Sequence, residues 1–590
     1  MKKILSSLTI LALLSCQPDI SIDQKVDDII KQMTIAEKVG QMTQIDHRFL
    51  DDHADIKDYA IGSLLSGGGS HPEENTHKAW VDLYNGYQEK ALASRLGIPL
   101  IYGIDAVHGH NNVKGATIFP HNIGLGATGN PEIVRSVSEA TASEVAATGI
   151  NWTFAPCIAT PQDYRWGRTY EGFSSDPKLV LELGVAAVEG YQSSIKKNPR
   201  KVIACAKHFI GDGNTTFGTG LKNLVDRGNT QLTKETLKET LIPAYQAAVD
   251  AGVETVMASY NSWNGVKCHG SKELLTDILK DEMGFEGFVI SDWAGIDEIP
   301  GDYKSDIVTS VNAGMDMVMV SGEAEPYKKF MALLTEAIEE ELIPMSRIDD
   351  AVSRILKVKF RAGLFEDPLM DYGYLSEIGS DENREIGRDA VRQSVVLLKN
   401  ESALPISKAA RVIVAGRGAD NLGMQCGGWT IEWQGGQGDI TEGTTLLEGL
   451  IENAPEGIEV VSDPLANSVK GDIAIVVIGE DPYTEFFGDR DSLNINEEDL
   501  QVIENAKAQG MKVVVLLISG RPMNIAPHIQ NWDAFAAIWL PGSEGAGVSD
   551  VLFGNFNPTG RLSFPWPVKA EEGAISESLL YNLGAGLSYE

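Results

Sequence analysis

The stretch GFVISDW, residues 287–293, decides how the rest of the chain is interpreted. Residues 288–290 form a short apolar run that is typical of a fully buried strand. The run stops at Asp292, and Trp293 places an indole beside that carboxylate. In a parallel α/β barrel, the residues at the carboxyl ends of the strands carry the chemistry. Asp is also a preferred helix N-cap, so this motif alone leaves both roles open for Asp292.

Apolar runs of this kind recur as far as Met319, with helix-like segments between most of them. The predicted strands are Val39–Thr43, Ile61–Leu65, Leu100–Ile104, Trp152–Ala155, Val202–Ala206, Thr255–Ala258, Phe288–Ile290 and Met315–Met319. The helical segments include Asn130–Thr148 and Lys234–Ala251. Strand and helix alternating in this way predict an α/β fold with a (β/α)8 barrel of the TIM type, which we place at residues 22–364.

Polar residues follow five of the predicted strands. They are Asp105, the segment Arg165–Arg168, the pair Lys207 and His208, the segment Ser259–Asn261, and the pair Asp292 and Trp293. Because the carboxyl ends of parallel strands meet on one face of a barrel, we expect these side chains to converge. One Asp can be a helix cap, but several coincident strand ends favour a pocket.

A second, smaller alternation of strands and helices follows the barrel. Residues 365–384 contain Pro, Gly and many acidic residues, which predicts a linker, and a helix is expected from Glu385 through Leu398. The later strands are predicted at Val412–Ala415, Ile473–Ile478, Val513–Ile518 and Ala534–Leu540. This pattern predicts a smaller open α/β sheet sandwich over residues 385–590.

Length and charge limit the classes of function. A chain of 590 residues is too long for a single core and predicts two large domains. Its 83 acidic and 49 basic residues give a net charge of −34, which argues against nucleic acid or anionic lipid as a partner. A soluble enzyme with a neutral substrate, or a protein secreted into salty surroundings, fits this charge.

Residues 1–16 are typical of an export signal. Lys2 and Lys3 precede the apolar run Ile4–Leu14, which is too short for a lasting membrane helix. A small residue precedes Cys16, as in a bacterial lipoprotein cleavage box, so we expect Cys16 to be lipidated and the protein to be periplasmic or anchored in the outer membrane. The alternative is a plain secretory signal, with Cys16 at this place by chance and the protein secreted.

No metal site and no cofactor are expected. The four remaining cysteines are scattered, without a Cys-x-x-Cys pair. His108 and His110 lie near Asp105, but the spacing is short and no third ligand is evident, so structural histidines are the favoured interpretation. The segment Gly416–Gly418 lacks the third glycine of a nucleotide-binding loop and is interpreted as a turn.

Four motifs occur in order along the predicted barrel: Tyr102–His110, Arg165–Arg168, Lys207–Phe209 and Ser291–Trp293. Together they resemble glycoside hydrolase family 3, and the likeness is closest to the two-domain β-glucan exohydrolases and β-glucosidases. The resemblance runs from about Val26 to the C-terminus. It implies an exo-acting, retaining enzyme that releases glucose from the non-reducing ends of β-linked gluco-oligosaccharides or polysaccharides and needs no cofactor.

The resemblance also implies roles for single residues. Asp292 matches the family's nucleophile, and the Pro-Tyr-Thr-Glu pattern that ends at Glu485 makes this residue the acid/base, supplied by the second domain. Glu480 is the alternative acid/base, while Asp489 and Asp491 are interpreted as solvated loop charges. The positions that match residues holding the cleaved sugar in relatives are Asp105, Arg168, Lys207, His208 and Tyr260.

Three tryptophans complete the predicted site. Trp429 and Trp433 lie in a Gly-rich loop that we expect at the surface, and relatives use this pair with the Trp after the nucleophile, here Trp293, to clamp a second sugar. Such a clamp would accept several linkages. Two differences from the plant relatives leave the enzyme's preference among glycosidic linkages open. Glu298 stands where those relatives carry Arg, and the loop Asn214–Asn223 differs from theirs.

Two alternatives to this function stay open. The family's β-N-acetylhexosaminidase branch places a His-Asp acid/base after the Lys-His motif, and residues 211–214 are not followed by that pairing here. A surface lipoprotein that binds glycans without turnover would also keep the pocket, although the intact Asp292 and Glu485 argue against it. The oligomeric state is left open as well.

Overall fold

The computed structural model describes residues 20–193, 201–322, 325–408 and 410–589. The predicted export signal, including Cys16, lies outside these residues. Within the described part of the chain, no helix has both the length and the apolar character that spanning a bilayer requires.

Among the described residues, eight parallel strands form a closed ring. In chain order they are β1 (Thr43–Asp46), β2 (Ser63–Ser66), β3 (Ile101–Ile104), β4 (Trp152–Thr153), β5 (Cys205–Phe209), β6 (Thr255–Ala258), β7 (Phe288–Ile290) and β8 (Val318–Val320). One ladder runs β8-β1-β2-β3-β4 and another runs β5-β6-β7. Single parallel bridges, from Trp152 to Ile203 and from Ile290 to Met317, join the two ladders at both ends. The predicted (β/α)8 barrel is therefore confirmed.

Helices alternate with these strands and pack on one another along the chain. They span Ile22–Ile30, Ile35–Gln41, Asp55–Asp58, His77–Leu92, Asn122–Thr128, Pro131–Ala147, Pro177–Gln192, Lys234–Thr240, Ile242–Asp250, Glu273–Glu282, Tyr303–Ala313, Tyr327–Glu339 and Met345–Arg361. Their starts follow from local chemistry. Asn130, for example, accepts from the backbone N–H of Glu132, and Pro131 supplies the φ that a first helical turn needs.

The first predicted strand is displaced. Residues 39–41 belong to the helix Ile35–Gln41, because Thr34 and Glu37 form a capping box that starts a helix there. Strand β1 begins only at Thr43.

Strands β5 and β8 lie later in the chain than predicted. The structure has β5 at Cys205–Phe209 instead of Val202–Ala206, so Lys207 and His208 lie within the strand and not after it. In both cases the apolar residues before the strand are buried, and apart from the single bridges at Ile203 and Met317 they form no strand. Apolarity at these positions marks burial in the core and does not mark the strand itself.

Among the described residues of the second half, six strands form one sheet. They are β9 (Val396–Asn400), β10 (Arg411–Ala415), β11 (Glu459–Ser462), β12 (Ile473–Gly479), β13 (Lys512–Ile518) and β14 (Ala534–Trp539). Their order is β9-β14-β13-β12-β10-β11; β9 is antiparallel to β14, and the other neighbours are parallel. The helices are Asp381–Ser394, Leu422–Cys426, Leu446–Glu452, Glu497–Ala508 and Ala546–Leu552. The predicted open α/β sheet is confirmed.

Two elements of this half differ from the prediction. The helix expected over Glu385–Leu398 spans Asp381–Ser394, so it begins inside the predicted linker, and residues 396–398 form a strand. The sequence misses β11, because its residues are partly exposed at the edge of the sheet and make no long apolar run. The limits of the two domains stay predictions.

Loops of the second half lie against the carboxyl face of the barrel. Asn111 Nδ2 donates to the Trp429 carbonyl at 2.8 Å, and the backbone N–H of Ile431 donates to the Asn111 carbonyl at 2.8 Å. Tyr170 Oη donates to the Tyr483 carbonyl at 2.7 Å. These hydrogen bonds fix the loops after β10 and after β12 above the barrel strands, where the side chains at the strand ends converge.

Candidate active site

A cavity of about 390 Å³ lies where the loops of the second half cover the carboxyl ends of the barrel strands. All the residues that the sequence and the family resemblance single out for substrate and chemistry line this cavity. They are Asp105, Arg168, Lys207, His208, Tyr260, Asp292, Trp293, Trp429, Trp433 and Glu485. The fold therefore brings together side chains that are up to several hundred residues apart in the sequence and that come from both halves of the chain.

Asp292 lies just beyond β7, with one carboxylate oxygen held and the other free. Its backbone N–H donates to His269 Nε2 at 3.0 Å, and its Oδ1 accepts from the backbone N–H of Trp293 at 2.7 Å. Its Oδ2 has no hydrogen-bond partner in the described part of the chain and lies 3.6 Å from His208 Nε2. A buried oxygen without a partner is costly unless a ligand uses it, so Oδ2 is the oxygen available for chemistry.

The charge of Asp292 depends on several neighbours. Burial raises the pKa of Asp292 to about 6; Arg168 and Lys207 oppose this rise, and Glu485 adds to it. The carboxyl is thus ionised at neutral pH and gains a proton below about pH 6. Asp292 does not cap the short helix Gly295–Glu298, so the helix-cap interpretation is wrong.

His208 is a neutral, fixed part of the cavity wall. Its Nδ1 lies 2.7 Å from Asp212 Oδ2, and its Nε2 lies 3.1 Å from Arg168 Nη2. Because a guanidinium only donates, Nε2 is the acceptor and the hydrogen-bond network assigns the proton to Nδ1. Burial, together with Arg168 and Lys207, holds the pKa of His208 well below its usual value. Nε2 of His208 therefore carries no proton to donate to Asp292 Oδ2.

Two buried cations face the cavity next to the indole of Trp429. Arg168 forms a bidentate pair with Glu171, with N–O distances of 2.8 and 2.9 Å. Lys207 Nζ lies 3.4 Å from Asp105 Oδ1, and burial raises the pKa of that carboxyl although Lys207 lowers it. The two cations lie 5.9 and 5.6 Å from the Trp429 ring. Fixed donors and acceptors beside an aromatic face suit a ligand that carries several hydroxyl groups.

Glu485 reaches the cavity from the loop after β12. It has a φ of 47°, in the left-handed region that non-glycine residues seldom adopt. Its Oε2 accepts from Arg227 Nη2 at 3.1 Å. Gly167 of the barrel approaches the Glu485 carbonyl so closely that a Cβ at this position would lie 2.2 Å from the oxygen. Glycine at position 167 thus allows the two halves of the chain to meet at this loop.

Asp489 differs from the expectation of a solvated loop charge. It is only 5% exposed. Its Oδ1 accepts from the backbone N–H of Gly167 at 2.7 Å, and its Oδ2 accepts from the backbone N–H groups of Val225 and Asp226 at 3.0 and 2.8 Å. Hydrogen bonds to unpaired backbone donors of two barrel loops explain why this carboxylate is buried. It ties the loop of Glu485 to the barrel.

The alternative acid/base, Glu480, is used elsewhere. It does not line the cavity. Its carboxylate accepts from the Arg521 guanidinium at 2.9 and 3.1 Å and from Tyr483 Oη at 2.8 Å. Asp491 is exposed, as expected. Glu485 is therefore the carboxylate of this loop that faces the cavity.

The three predicted tryptophans occupy different parts of the wall. Trp293 and Trp433 are half-buried, whereas Trp429 is 5% exposed and packs in the core of the second half. The expectation that both tryptophans of the Gly-rich loop lie at the surface is thus wrong for Trp429, because Asn111 binds its carbonyl and turns the loop into the barrel. The Tyr260 hydroxyl donates to the Trp293 carbonyl, which links the ends of β6 and β7.

Some cavity residues carry no signal in the sequence. Arg227 is the main case, because it lies in the long segment between β5 and β6, far from either strand end, and only the fold brings it to the cavity. The other unpredicted lining residues with large side chains are Arg48, Leu65, Phe154, Met257, Met319 and Glu432. The apolar ones among them are indistinguishable in sequence from core residues.

The two histidines near Asp105 have the surroundings of structural residues and not of metal ligands. His108 and His110 are buried, each bonds a neighbouring oxygen, and burial lowers the pKa of both. Among the described residues, Cys157, His208 and Asp212 place potential metal ligands within 4.8 Å of one another. The imidazole of this trio already bonds the carboxylate, and burial raises the pKa of the Cys157 thiol, so the trio is an ordinary hydrogen-bonded cluster of the core.

Comparisons with known proteins extend over both halves of the chain. Residues 34–358 match the N-terminal domain of glycosyl hydrolase family 3, and residues 395–589 match the C-terminal domain of the same family. A lysosomal beta glucosidase of Dictyostelium discoideum is 31% identical over 96% of this chain and 76% of that protein. A periplasmic beta-glucosidase of Salmonella typhimurium is 30% identical over 92% of this chain and 74% of that protein.

A solved structure agrees with these relatives. The exo-1,3/1,4-beta-glucanase of a Pseudoalteromonas species has a TM-score of 0.90 at 38% identity, and the match covers 96% of this chain and 74% of that chain. The matched domains, the identities and the shared two-part fold all point to one family. The chain belongs to glycosyl hydrolase family 3 and is a glycoside hydrolase that carries both of the family's domains.

Proposed function

We propose that this enzyme is an exo-acting β-glucosidase or β-glucan exohydrolase that hydrolyses with retention. One observation carries the proposal: Asp292, with a free Oδ2, and Glu485, from the other half of the chain, line the same cavity. Retaining hydrolysis needs two carboxyl groups that flank the glycosidic bond, one as the nucleophile and one as the acid/base. The names of the similar proteins support a β-glucoside as the substrate and exo action.

The two steps follow from this pair of residues. In the first step, Asp292 Oδ2 bonds to the anomeric carbon, the bond from that carbon to the leaving oxygen breaks, and Glu485 gives its proton to the leaving oxygen. In the second step, water bonds to the anomeric carbon, the bond to Asp292 breaks, and Glu485 accepts the proton from water. Arg168 and Lys207 favour the ionised form of Asp292 between turnovers.

The other wall residues would bind the sugar that is cleaved off. Asp105 accepts and Lys207 donates at adjacent places, which matches two neighbouring hydroxyl groups on a pyranose ring. Arg168 is fixed by its hydrogen bonds to Glu171, so it would present its remaining N–H groups to the sugar without a loss of side-chain entropy. Both ring nitrogens of His208 are already bonded, so His208 would act by holding Arg168 in place. Tyr260 supports the backbone beside Asp292.

The aromatic residues would hold the leaving sugar. Trp293 and Trp433 are half-buried and line the cavity, which suits stacking on a second ring, while the buried Trp429 would form the wall behind the first ring. Stacking depends on ring faces more than on linkage geometry. We therefore expect activity on β-1,3- and β-1,4-linked gluco-oligosaccharides.

The test uses soluble protein that starts just after Cys16, with laminari- and cello-oligosaccharides as substrates and proton NMR as the readout. Early release of β-glucose from chain ends is the expected result, and the relative rates rank the linkages. Early release of α-glucose would contradict the double displacement. Binding without any released glucose would favour a glycan-binding protein over an enzyme.

The alternative of a β-N-acetylhexosaminidase finds little support. Asp212, the carboxylate that follows the Lys-His motif, bonds His208 in the core and does not line the cavity. It is therefore badly placed to serve as part of an acid/base on a barrel loop. The comparisons above likewise favour β-glucosidases and a β-glucanase.

We also propose that the protein is exported and anchored by a lipid on Cys16. Two of the similar proteins are named as periplasmic and lysosomal, which supports export. Cys16→Ser should move the full-length protein from the membrane fraction to the soluble fraction after expression in a Gram-negative host. Equal membrane association of both forms would contradict the lipid anchor.

A further inference from the structure

Arg227 contacts three parts of the site at once. Its Nη2 donates to Glu485 Oε2 at 3.1 Å, and its Nη1 donates to Glu298 Oε1 at 2.7 Å. Its guanidinium lies 3.7 Å from the centre of the Tyr260 ring. Arg227 also lines the cavity. Among the described residues, it is the side chain that hydrogen-bonds the Glu485 carboxylate, so its position bears directly on that carboxylate.

The far side of Arg227 is fixed by a second ion pair. Glu298 Oε2 accepts from Lys267 Nζ at 2.7 Å, and the same Nζ donates to the Tyr260 carbonyl at 2.8 Å. Glu298 is therefore held from two sides and holds Arg227 in turn.

The backbone around Arg227 is tied to the loop of Glu485 independently of the side chain. Asp489, four residues after Glu485 in the sequence, accepts from the backbone N–H groups of Val225 and Asp226, which directly precede Arg227. Arg227 has a φ of 59°, a left-handed conformation that the surrounding contacts must maintain. Two separate links thus hold the guanidinium and the carboxylate at a fixed distance.

We propose that Arg227 is a positioning residue that sets the orientation of Glu485. Its guanidinium would hold Oε2 by a charge-assisted hydrogen bond, so that the carboxyl group keeps the place from which it gives a proton in the first step and accepts one in the second. Glu298 and the Tyr260 ring would keep Arg227 from turning toward solvent. The inference rests on the proposed function, because it takes Glu485 as the acid/base.

Arg227 is one of several ionisable groups that lie near the Glu485 carboxylate. The ionisable groups that interact with Glu485 are Arg168, Arg227, Asp105, Asp226, Asp292, Tyr170 and Tyr260. Those that interact with Arg227 are Asp226, Glu298, Glu485, Tyr260, His208 and His269. Arg168 is already paired with Glu171. Arg227 is the cation that hydrogen-bonds the Glu485 carboxylate.

The test compares Arg227→Met with Arg227→Lys and with Lys222→Met in the full-length enzyme. Lys222 lies in the same loop and is exposed, and its ammonium faces Phe486 and Phe487, so its variant removes an equal charge without removing a hydrogen bond to the Glu485 carboxylate. For each protein, kcat and kcat/KM are measured across pH with an activated aryl β-glucoside and with a gluco-oligosaccharide.

For Arg227→Met we expect kcat on the activated aryl substrate to fall by about tenfold or more, because the second step limits turnover there and loses its oriented base. The gluco-oligosaccharide should lose more kcat/KM than the aryl glucoside, since only its leaving oxygen needs the proton that Glu485 gives. Arg227→Lys should move this ratio back toward the wild-type value and recover part of the rate, because an ammonium can also donate to Oε2. Lys222→Met should match the wild type.

Two outcomes separate the inference from the function on which it rests. A wild-type enzyme that releases no glucose from any of these substrates would overturn the proposed function. An active wild type, with Arg227→Met and Lys222→Met giving the same pH profile and the same ratio of rates on the two substrates, would overturn the role of Arg227. A uniform loss at every pH on both substrates, without recovery in Arg227→Lys, would show a merely structural role and would also overturn it.

Discussion

The barrel holds Asp292 and the second half holds Glu485, and the two halves do this in different ways. Asp292 directly follows a buried strand, and its fixed oxygen is bound by the backbone of the next residue in the sequence. Glu485 lies in a left-handed conformation on a loop and is bound by Arg227. Asp489 ties that same loop to the barrel. The position of the first carboxylate is set locally, and that of the second depends on contacts between the halves.

This difference has a consequence for mutations. A change near Asp292 should act on chemistry and leave the fold intact, because few distant contacts depend on that side chain. A change in the contacts of the Glu485 loop should alter acid/base function, although the mutated residue itself never touches the substrate.

Asp292→Asn should lower kcat/KM by about 10⁴-fold or more on every β-glucoside, because the amide cannot act as the nucleophile. The Asn side chain still offers an oxygen to the backbone N–H of Trp293, so thermal unfolding should stay close to that of the wild type. Steady-state kinetics and calorimetry on the same sample check both points. A variant that keeps its turnover would remove Asp292 from the mechanism.

Glu485→Ala should lower kcat/KM by an amount that depends on the leaving group of the substrate. Oligosaccharides need a proton on the leaving oxygen and should lose about 10² to 10⁴ in kcat/KM, whereas activated aryl glucosides should lose far less. Rates on both substrate types, measured at one pH, give the ratio. Equal losses on the two types would argue that Glu485 is not the acid and that the second half does not supply this group.

Asp489→Ala should change the activity in the same way as Glu485→Ala, but by a smaller amount. It leaves the backbone N–H groups of Gly167, Val225 and Asp226 without their acceptor, which should cost about 1 to 3 kcal/mol of stability for the loop contacts. The loop of Glu485 should then move, and oligosaccharides should lose more activity than aryl glucosides.

Asp491→Ala is the matched control for that variant, since Asp491 is an exposed carboxylate of the same loop. It should change neither the melting temperature nor the ratio of rates. If Asp489→Ala lowers stability while the ratio stays at the wild-type value, Glu485 is positioned by its own loop and the contacts between the halves are not needed for catalysis.

The pH dependence of kcat/KM should reflect the ionisation of Asp292, the carboxylate that the barrel holds. The pKa of Asp292 is raised to about 6, and the nucleophile must be ionised, so kcat/KM should fall by about tenfold per pH unit below that value. The same acid limb should appear in Asp489→Ala, because that variant leaves the barrel residues in place. An acid limb near the ordinary pKa of an Asp would contradict the effect of burial.

Much of the barrel half was predictable from sequence because its signals are local. The apolar runs that end in Asp105 and Asp292 mark strand ends, and parallel strand ends meet on one face. The errors fall where apolar residues are buried without forming a strand, as before β5. Periodicity reports burial, and the choice between strand and irregular chain depends on neighbours that are far away in sequence.

The alternation of strands and helices and the order of the motifs can be read from the residues, and the family resemblance adds the two candidate carboxylates. The burial of Asp489, the place of Trp429 in a core and the contact of Arg227 with Glu485 became known from the folded chain. Each of these three depends on hydrogen bonds or packing between residues that are far apart in the chain. No local pattern encodes such a contact, because its free energy exists only when both partners are in place.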